Sequence, residues 1–257
     1  MHISGARRAL LGNQIARTVL SAWAWLIMGV LLVVWVPLTA IVRVVTAPFD
    51  RGRYWTGFVF RRICVVHQWF NPLWRFEVTG ERITDPRRPY VVVANHESFV
   101  DMILISHLPW EMKWMSKRSL FRIPFLGWLM RMSNDIELLR GSRDSILSAV
   151  AEAHERLRSN VSVMMFPEGT RTRSGELGEF KDGAFRIAID AGVPILPLAV
   201  AGTREALKSH DWRMNVTNAE VRVLAPIDTT GCSLEDVPAL RDRTRAAIAA
   251  ALVEMRH

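Results

Sequence analysis

The sequence predicts an α/β domain in which helices cover both faces of a mixed, largely parallel sheet. Beyond residue 75, short apolar runs typical of buried strands alternate with helical patterns. Such alternation places helices on the two faces of a parallel sheet. A long apolar segment comes first and predicts an N-terminal two-helix membrane motif. We therefore expect a membrane-associated helical hairpin over residues 1–74 and the α/β domain over residues 75–257.

Composition bounds the class of protein. With 257 residues, half of them hydrophobic, the chain is too apolar for intrinsic disorder and suits one domain with a smaller appendage. The ten Trp residues favour a membrane interface. A formal net charge of +8 suits phosphate groups, acidic lipid or nucleic acid, and charge alone does not choose among them. Cys64 and Cys232 stand far apart, so neither a disulfide framework nor a zinc site is expected, and a reducing cytoplasmic setting fits.

The apolar segment lies at residues 18–42, where no charged residue occurs. As a helix it would be about 37 Å long, enough to cross a bilayer. A cleaved signal peptide is the competing interpretation, but its apolar core is normally about 7 to 15 residues long. Residues 51–74 mix aromatic side chains with arginines, as in a helix lying in a membrane interface. The alternative is a helix packed on the soluble domain.

The charges around the apolar segment bear on its orientation. Basic residues stand on both sides of it: Arg7, Arg8 and Arg17 before, and Arg43, Arg51 and Arg53 after. Both flanks then satisfy the positive-inside tendency, which disfavours a single clean span. Pro37 can bend a helix. We therefore expect residues 18–74 to form a hairpin that dips into the cytoplasmic leaflet.

The α/β region contains seven strand candidates and three helix candidates. The buried-looking strands are residues 90–94, 161–166, 195–201 and 221–225, and weaker ones are residues 75–79, 112–116 and 136–139. The helices are residues 144–159, residues 181–191 ending at Gly192, and residues 234–257.

A candidate catalytic pair lies in the stretch NHESFVD, which follows the strand at residues 90–94. Ligand crevices in α/β sheets lie at the carboxyl ends of strands, where His96 is placed. Asp101 comes five residues later, in the first turn of a helix, and can orient the His96 ring as a general base. Ser98 and Asp101 also fit a helix-capping box, which would explain the Asp without catalysis. A structural histidine, or two metal ligands without their partners, are further alternatives.

Two further signals point to an anionic ligand. In FPEGTR, Gly169 permits a close approach of backbone to a ligand, and Arg171 can donate a forked pair of hydrogen bonds to a phosphate. The alternative is a tight turn with a salt bridge between Arg171 and Glu168. In a chain dominated by arginine, Lys113 and Lys117 also look placed for a ligand, although a solvated surface would explain them equally well.

Four motifs in order resemble those of the glycerolipid acyltransferases. They are NHESFVD, KRSLFRIPFLGW continuing to Arg140, FPEGTR at residues 166–171, and VPILP at residues 193–197. The resemblance covers about residues 75–227, and the apolar N-terminus is similar to the two-helix membrane motif of that family. It implies an enzyme that transfers an acyl chain from a thioester to the free hydroxyl of a lysophospholipid.

The resemblance also implies roles for individual residues. His96 would take the hydroxyl proton and Asp101 would orient the imidazole, with no acyl-enzyme and no role for Ser98 as a nucleophile. Arg171 and Lys117 would bind the acceptor phosphate, with Arg140 on the same rim and Glu168, Gly169 and Thr170 shaping the pocket. A backbone N–H near the start of the helix is the expected donor to the oxyanion.

The expected acceptor is lysophosphatidic acid, acylated at its sn-2 hydroxyl to phosphatidic acid. The donor would be acyl-coenzyme A or acyl carrier protein, with no metal ion, no further cofactor and no nucleic acid. We expect the enzyme at the inner face of the cell membrane, with its catalytic domain in the cytoplasm. Another lyso-lipid as acceptor, a membrane-bound esterase that uses the same pair to activate water, and a non-catalytic lipid-binding scaffold remain alternatives.

Overall fold

A computed structural model describes residues 13–171, 175–208 and 211–256. Arg7, Arg8 and His257, which entered the predictions above, lie outside these residues. Within the described part, seven strands form one sheet: β1 Trp74–Gly80, β2 Val91–Ala94, β3 Met112–Lys117, β4 Ile136–Leu138, β5 Ser162–Met165, β6 Ile195–Ala201 and β7 Thr217–Val223. Each of the seven predicted strands is present.

The sheet has the strand order β1-β7-β6-β2-β5-β3-β4. The five strands from β6 to β4 pair in parallel, whereas β6 and β7 pair antiparallel and β7 carries β1 parallel to itself. The prediction of a mixed, mostly parallel sheet is confirmed. Because β2, β5 and β6 are neighbours with one direction, the loops after their carboxyl ends meet at one edge.

Helices connect the strands. They are α1 Gln14–Thr46, α2 Tyr54–Phe70, α3 Val100–Ile105, α4 Arg118–Phe121, α5 Leu126–Met132, α6 Arg143–Arg158, α7 Gly183–Ala191, α8 Thr203–Ala206 and α9 Val237–Arg256, the last preceded by a 3-10 turn at Leu234–Asp236. The three predicted helices correspond to α6, α7 and α9. Strand β7 begins at Thr217 instead of the predicted residue 221, because its first half alternates buried and half-buried side chains and so lacks a continuous apolar run.

Two hydrophobic cores cover the two faces of the sheet, as predicted. Along β2, Val91 and Val93 face a core shared with α6, α7 and α9. Val92 and Ala94 face the opposite core, which contains Leu104 of α3. All four β2 side chains are fully buried. Alternate residues of a strand point to opposite faces, so a strand covered on both sides is apolar throughout.

The N-terminal region consists of two antiparallel helices packed on each other. Helix α1 has 33 residues, continues through Pro37, and is the one helix in the described ranges that is long and apolar enough to cross a membrane. Indole Nε1 atoms of α1 donate to carbonyls of α2, from Trp35 to Val59 at 2.8 Å and from Trp23 to Phe70 at 3.1 Å. The chain therefore reverses in the loop between the helices instead of at Pro37.

The two helices differ in what they contact. The most apolar part of α1 is only 11% buried, and one side of the helix exposes large apolar side chains such as Val30, Val33 and Ile41. Helix α2 instead buries seven of its residues, among them Phe60, Arg61 and Ile63, against α1 and the α/β region. Residues 51–74 were expected to form a helix lying in the membrane interface, but the alternative, a helix packed on the soluble domain, describes α2 better.

A loop before β7 fixes the first turns of α1. The guanidinium of Arg17 donates to the Asp211 carboxylate at 2.9 Å and to the Met214 carbonyl at 3.1 Å. The Trp25 indole donates to the Trp212 carbonyl at 2.8 Å. Helix α1 is therefore attached to the α/β region near its amino end, where its exposed apolar face begins.

Candidate active site

The turn after β2 is fixed by Asn95. Its amide Nδ2 donates to the Val200 carbonyl and its Oδ1 accepts from the Val200 N–H, both at 2.8 Å. This side chain pairs with β6 as a further strand residue would, because both backbone groups of Val200 are satisfied by it. The position of the next residue, His96, is thereby set by the sheet.

His96 and Asp101 form a hydrogen-bonded pair. The ring Nδ1 lies 2.7 Å from Oδ2 of Asp101, whose carboxylate is fully buried. The ring also stacks on Phe166, with the centroids 4.0 Å apart and the planes 17° from parallel. With its proton held at Nδ1 by the carboxylate, the neutral imidazole carries a free lone pair on Nε2. The arrangement is that of an oriented general base.

Asp101 caps the helix start and orients the histidine at the same time. Besides His96, its Oδ2 accepts from the backbone N–H groups of Glu97 at 2.7 Å and Ser98 at 2.9 Å. Its Oδ1 accepts from the hydroxyl of Thr203, which is fully buried at the start of α8. The predicted capping role and the predicted contact with His96 therefore coexist on one carboxylate. Four donors thus fix the position of this carboxylate beside the His96 ring.

Glu168 joins the loop after β5 to the His96 turn. Its Oε1 accepts from the His96 N–H at 2.7 Å, and its Oε2 accepts from the Gly178 N–H at 3.0 Å. Burial raises the pKa of the Glu168 carboxyl, and these two hydrogen bonds oppose that rise. Both oxygens contact backbone amides, so Glu168 shapes the site instead of pairing with Arg171 as the alternative interpretation proposed.

Gly169 turns the chain at the point where the loop passes the site. Its φ of +71° is one that residues with a side chain rarely adopt. An added Cβ would also lie 3.0 Å from Nζ of Lys181. Thr170 and Arg171 follow with exposed side chains, and residues 172–174 lie outside the described residues.

Two clefts meet at this loop. One, of about 740 Å³, is lined by His96 and by apolar side chains that include Met115, Leu138, Val150 and Phe166. The other, of about 1450 Å³, is polar and contains Glu97, Glu168 and Arg204. Thr170, Arg171 and Lys181 line both. Arg171 thus stands where an anionic group could be held next to an apolar chain.

The remaining predicted ligand residues lie on the apolar cleft. Lys117 at the end of β3 and Arg140 after β4 both line it, and both side chains are exposed. All eight predicted site residues therefore lie around one edge of the sheet, with Asp101 behind His96 and the others on the cleft walls.

Comparisons with known proteins identify the family. Residues 75–201 match the family described as Acyltransferase. The chain is 34% identical over 197 residues to human 1-acyl-sn-glycerol-3-phosphate acyltransferase alpha, covering 76% of this chain and 70% of that protein. It is 36% identical over 139 residues to a 1-acyl-sn-glycerol-3-phosphate acyltransferase of Chlamydomonas reinhardtii, covering 54% of this chain and 42% of that protein. This chain belongs to the 1-acyl-sn-glycerol-3-phosphate acyltransferase family.

A solved structure agrees. The fold is similar to that of the 1-acyl-sn-glycerophosphate acyltransferase PlsC from Thermotoga maritima, with a TM-score of 0.80 and 25% sequence identity over 95% of this chain and 97% of that one. The family resemblance inferred from the motifs is confirmed. The matched family region ends at Ala201, so α8, β7 and α9 of this acyltransferase lie beyond it.

Lys113 does not belong to the site. Its ammonium is completely buried and donates to Glu111 at 2.9 Å and to the Arg53 carbonyl at 2.7 Å. With Arg61 and Asp135 these residues form a buried group under α2, here called the ion cluster. Lys113 lies at the buried amino end of β3, whereas the exposed Lys117 ends that strand at the site. The interpretation that both lysines were placed for a ligand is therefore wrong for Lys113, and so is a solvated surface.

Two residues that contact or line the site lie outside the four motifs and were not predicted. Thr203 lies 102 positions after Asp101, and Lys181 follows the loop that contains Glu168. Their only sequence signal is that Thr203 follows a predicted strand and Lys181 begins a predicted helix at the same edge of the sheet.

The structure narrows the choice of the expected oxyanion donor. Backbone N–H groups around the start of α3 already donate to protein acceptors, namely those of His96, Glu97, Ser98, Val100 and Asp101. These five amides are thus poor candidates. In the described residues no cluster of three or more His, Cys, Asp or Glu side chains could hold a metal ion. That the site needs no metal ion or cofactor stays a prediction.

Proposed function

We propose that this acyltransferase moves an acyl chain from an acyl thioester to the free sn-2 hydroxyl of lysophosphatidic acid and so forms phosphatidic acid. The observation that carries the proposal is the His96–Asp101 pair, 2.7 Å apart, at the head of an apolar cleft with cations on its walls. An acceptor with one acyl chain and one phosphate fits this combination. The names of the relatives support the same acceptor.

The chemistry follows from the pair. Nε2 of His96 takes the proton of the acceptor hydroxyl as its oxygen attacks the thioester carbonyl. The buried Asp101 carboxylate stabilises the imidazolium that forms. When the intermediate collapses, the C–O bond is retained, the C–S bond breaks, and the imidazolium returns its proton to the leaving thiolate. The substrate supplies the nucleophile, so no acyl-enzyme is needed.

Ser98 is not the nucleophile in this scheme. Its side chain is buried, and its hydroxyl oxygen accepts from the Val100 N–H at 3.3 Å. The His96 ring nitrogen that faces this turn is engaged by Asp101. No base is therefore placed to activate Ser98, and its hydroxyl caps the first turn of α3.

The acceptor's phosphate would be held by Lys117, Arg140 and Arg171, since guanidinium and ammonium groups bind phosphate through charge-assisted hydrogen bonds. Gly169 and Thr170 bring the loop close to it, and Glu168 sets the distance between that loop and His96. The apolar cleft would take an acyl chain. Acyl-coenzyme A and acyl carrier protein are both suitable donors.

We further propose that residues 1–74 form a membrane-associated unit and residues 75–257 the catalytic domain. The exposed apolar face of α1 would lie in the lipid, and α2 would connect it to the catalytic domain. A lipid acceptor explains the need for this, because withdrawing acyl chains into water costs about 0.8 kcal/mol per CH₂. The catalytic domain would then face the cytoplasm at the inner surface of the cell membrane.

The test is product analysis by mass spectrometry. Purified protein is given a panel of lyso-lipids with and without a phosphate, and acyl-coenzyme A and acyl carrier protein are offered separately. We expect phosphatidic acid as the main product and its loss in His96→Ala. His154→Ala is the matched control, because His154 lies on α6 but not on the cleft wall. Release of free fatty acid at the same rate without any acceptor would replace the proposal by an esterase.

A further inference from the structure

The last helix, α9, contacts the loop that carries Glu168 and Arg171. Three of its arginines face the return segment of that loop, here defined as residues 175–182. They are Arg241, Arg245 and Arg256, which lie on one side of the helix at spacings of 4 and 11 residues. Since α9 lies outside residues 75–201, these contacts are beyond the region that the family match covers.

Arg245 binds the return segment through backbone carbonyls. Its Nε donates to the Gly178 carbonyl at 2.9 Å and its Nη2 donates to the Leu177 carbonyl at 2.8 Å. The guanidinium is half-buried, so these charge-assisted bonds are only partly screened by water. Two successive carbonyls are thereby held against one rigid fork.

This contact continues to the catalytic turn. The N–H of Gly178 donates to one oxygen of Glu168, and the other oxygen of Glu168 accepts from the N–H of His96. A Cβ at position 178 would lie 2.7 Å from Oε2 of Glu168, the oxygen that accepts from the Gly178 N–H, so there is no room for a side chain there. A shift of the return segment would therefore move Glu168, and with it the backbone of His96.

Arg256 makes a second, shorter connection. Its Nη2 donates both to Oε1 of Glu97 and to the Gly175 carbonyl, each at 2.9 Å. Glu97 is the residue next to His96, and its side chain is only 5% exposed. One guanidinium thus joins the catalytic turn directly to the far side of the loop.

We infer that Arg245 and Arg256 are positioning residues that hold the loop after β5 in register with His96 and so place Arg171 for the acceptor. The inference rests on the proposed function, since it gives the two arginines a role in acyl transfer. They do not touch the reacting atoms. Their effect is transmitted by Glu168 and Glu97.

The test compares Arg245→Met and Arg256→Met with Arg243→Met, all within α9. Arg243 is exposed and donates to the Asp228 carbonyl at 3.3 Å, away from the loop, so it is the matched control. We expect kcat/KM for lysophosphatidic acid to fall roughly ten- to a hundredfold in the first two variants, because small misplacements at a site cost about that much. The acceptor KM should rise, and the donor KM should stay within about twofold.

Comparing Arg256→Lys with Arg256→Met shows whether Arg256 positions the loop or only stabilises the fold. Arg256→Lys keeps a cation beside Glu97 and should recover most of the activity that Arg256→Met loses, while the thermal midpoints of both variants stay close to that of Arg243→Met. Turnover in Arg245→Met and Arg256→Met equal to that of the control would overturn the inference. The inference would also be overturned if the variants were fully active at a temperature at which all of them are folded, because the loss would then come from unfolding.

Hydrogen–deuterium exchange gives a readout that does not need acyl transfer. In Arg245→Met, amides of residues 177–181 should exchange about tenfold faster than in wild type, and in Arg243→Met they should not. Unchanged exchange would overturn the inference whatever the kinetics. If wild type transfers no acyl chain while exchange rises as expected, the proposed function fails and the attachment of the loop by α9 stands.

Discussion

The His96 turn and the ion cluster both contain buried, hydrogen-bonded ionisable side chains, but they lie at opposite edges of the sheet. His96 and Asp101 follow the carboxyl end of β2, beside two open clefts. Glu111, Lys113 and Asp135 lie at the amino ends of β3 and β4, closed over by Arg61 and Gly57 of α2. Ligands reach an open α/β sheet at the carboxyl ends of its strands, so only the first group can meet a substrate.

Shifted pKa values alone would not tell the catalytic pair from the ion cluster. Burial raises the pKa of the Glu111 carboxyl and lowers the pKa of the Lys113 ammonium, although each partner opposes the other's shift. Shifted pKa values often indicate active sites. Here they occur at both edges, in the ion cluster that no substrate reaches and in Glu97 and Glu168 beside His96. The position on the sheet, rather than the pKa shift, distinguishes catalysis from attachment of α2.

Of the variants considered, Asp101→Asn should have the largest effect, a loss of catalysis at the His96 turn. The amide oxygen can still accept from the three donors on Oδ2, and the NH₂ group can donate to the Thr203 hydroxyl. The fold is kept, but the imidazolium loses its counter-charge, so kcat should fall by roughly 10³- to 10⁴-fold. Steady-state kinetics check this, with Asp190→Asn on the exposed end of α7 as control. A loss of less than tenfold would mean that Asp101 only caps α3.

Lys113→Met should break the ion cluster and leave the chemistry intact. Removing one partner leaves the Glu111 charge buried without compensation, which costs about 3 to 5 kcal/mol of stability. Thermal unfolding in detergent measures this, and kcat per folded molecule should stay near the wild-type value. The double variant Lys113→Met with Glu111→Gln should recover much of the stability, because both charges are then removed. A Lys113→Met protein that is stable but inactive would contradict the assignment.

Local patterns were sufficient for the sheet and for part of the site. Strands β2 and β6 could be predicted most directly, because burial on both faces makes them apolar throughout. His96 and Asp101 could be predicted because they are five residues apart, and a single turn brings them together. The positions of the candidate ligand residues Lys117 and Arg171 on the cleft could be predicted because each follows a predicted strand that ends at the same edge.

The contacts between distant elements could not be predicted in this way. Thr203 and Arg256 lie more than 100 residues from the turn they contact, at 102 and 159 positions respectively. No local spacing encodes such a contact, because it depends on the strand order that makes β6 a neighbour of β2. The same reason explains Lys113, since one strand carries both it and Lys117 but places them at opposite edges of the sheet.

Glu97→Gln has the smallest expected effect and sharpens the comparison between the two edges of the sheet. Glu97 is a buried acid at the catalytic edge, as Glu111 is in the ion cluster. Burial and the Asp101 charge raise the pKa of Glu97 to about 7, and Arg256 and the backbone of Arg204 oppose the rise. The folded protein then keeps a proton on Glu97 up to about pH 7, whereas an unfolded chain loses it near pH 4.5. The contribution of Glu97 to stability is therefore fully present below about pH 4.5 and is lost as the pH rises to 7.

The difference between wild type and the variant isolates this group. The Gln side chain does not titrate, so relative to Glu97→Gln the wild-type stability should fall by about 3 kcal/mol between pH 4.5 and 7. Thermal midpoints of the two proteins at several pH values measure this. Identical pH profiles would mean that folding leaves the pKa of Glu97 unchanged, so that its carboxyl is ionised above about pH 4.5 in the folded protein as well. In that case Glu97 and Arg256 would form an ion pair at the catalytic edge near neutral pH, and the contrast between the two edges would rest on access to substrate only.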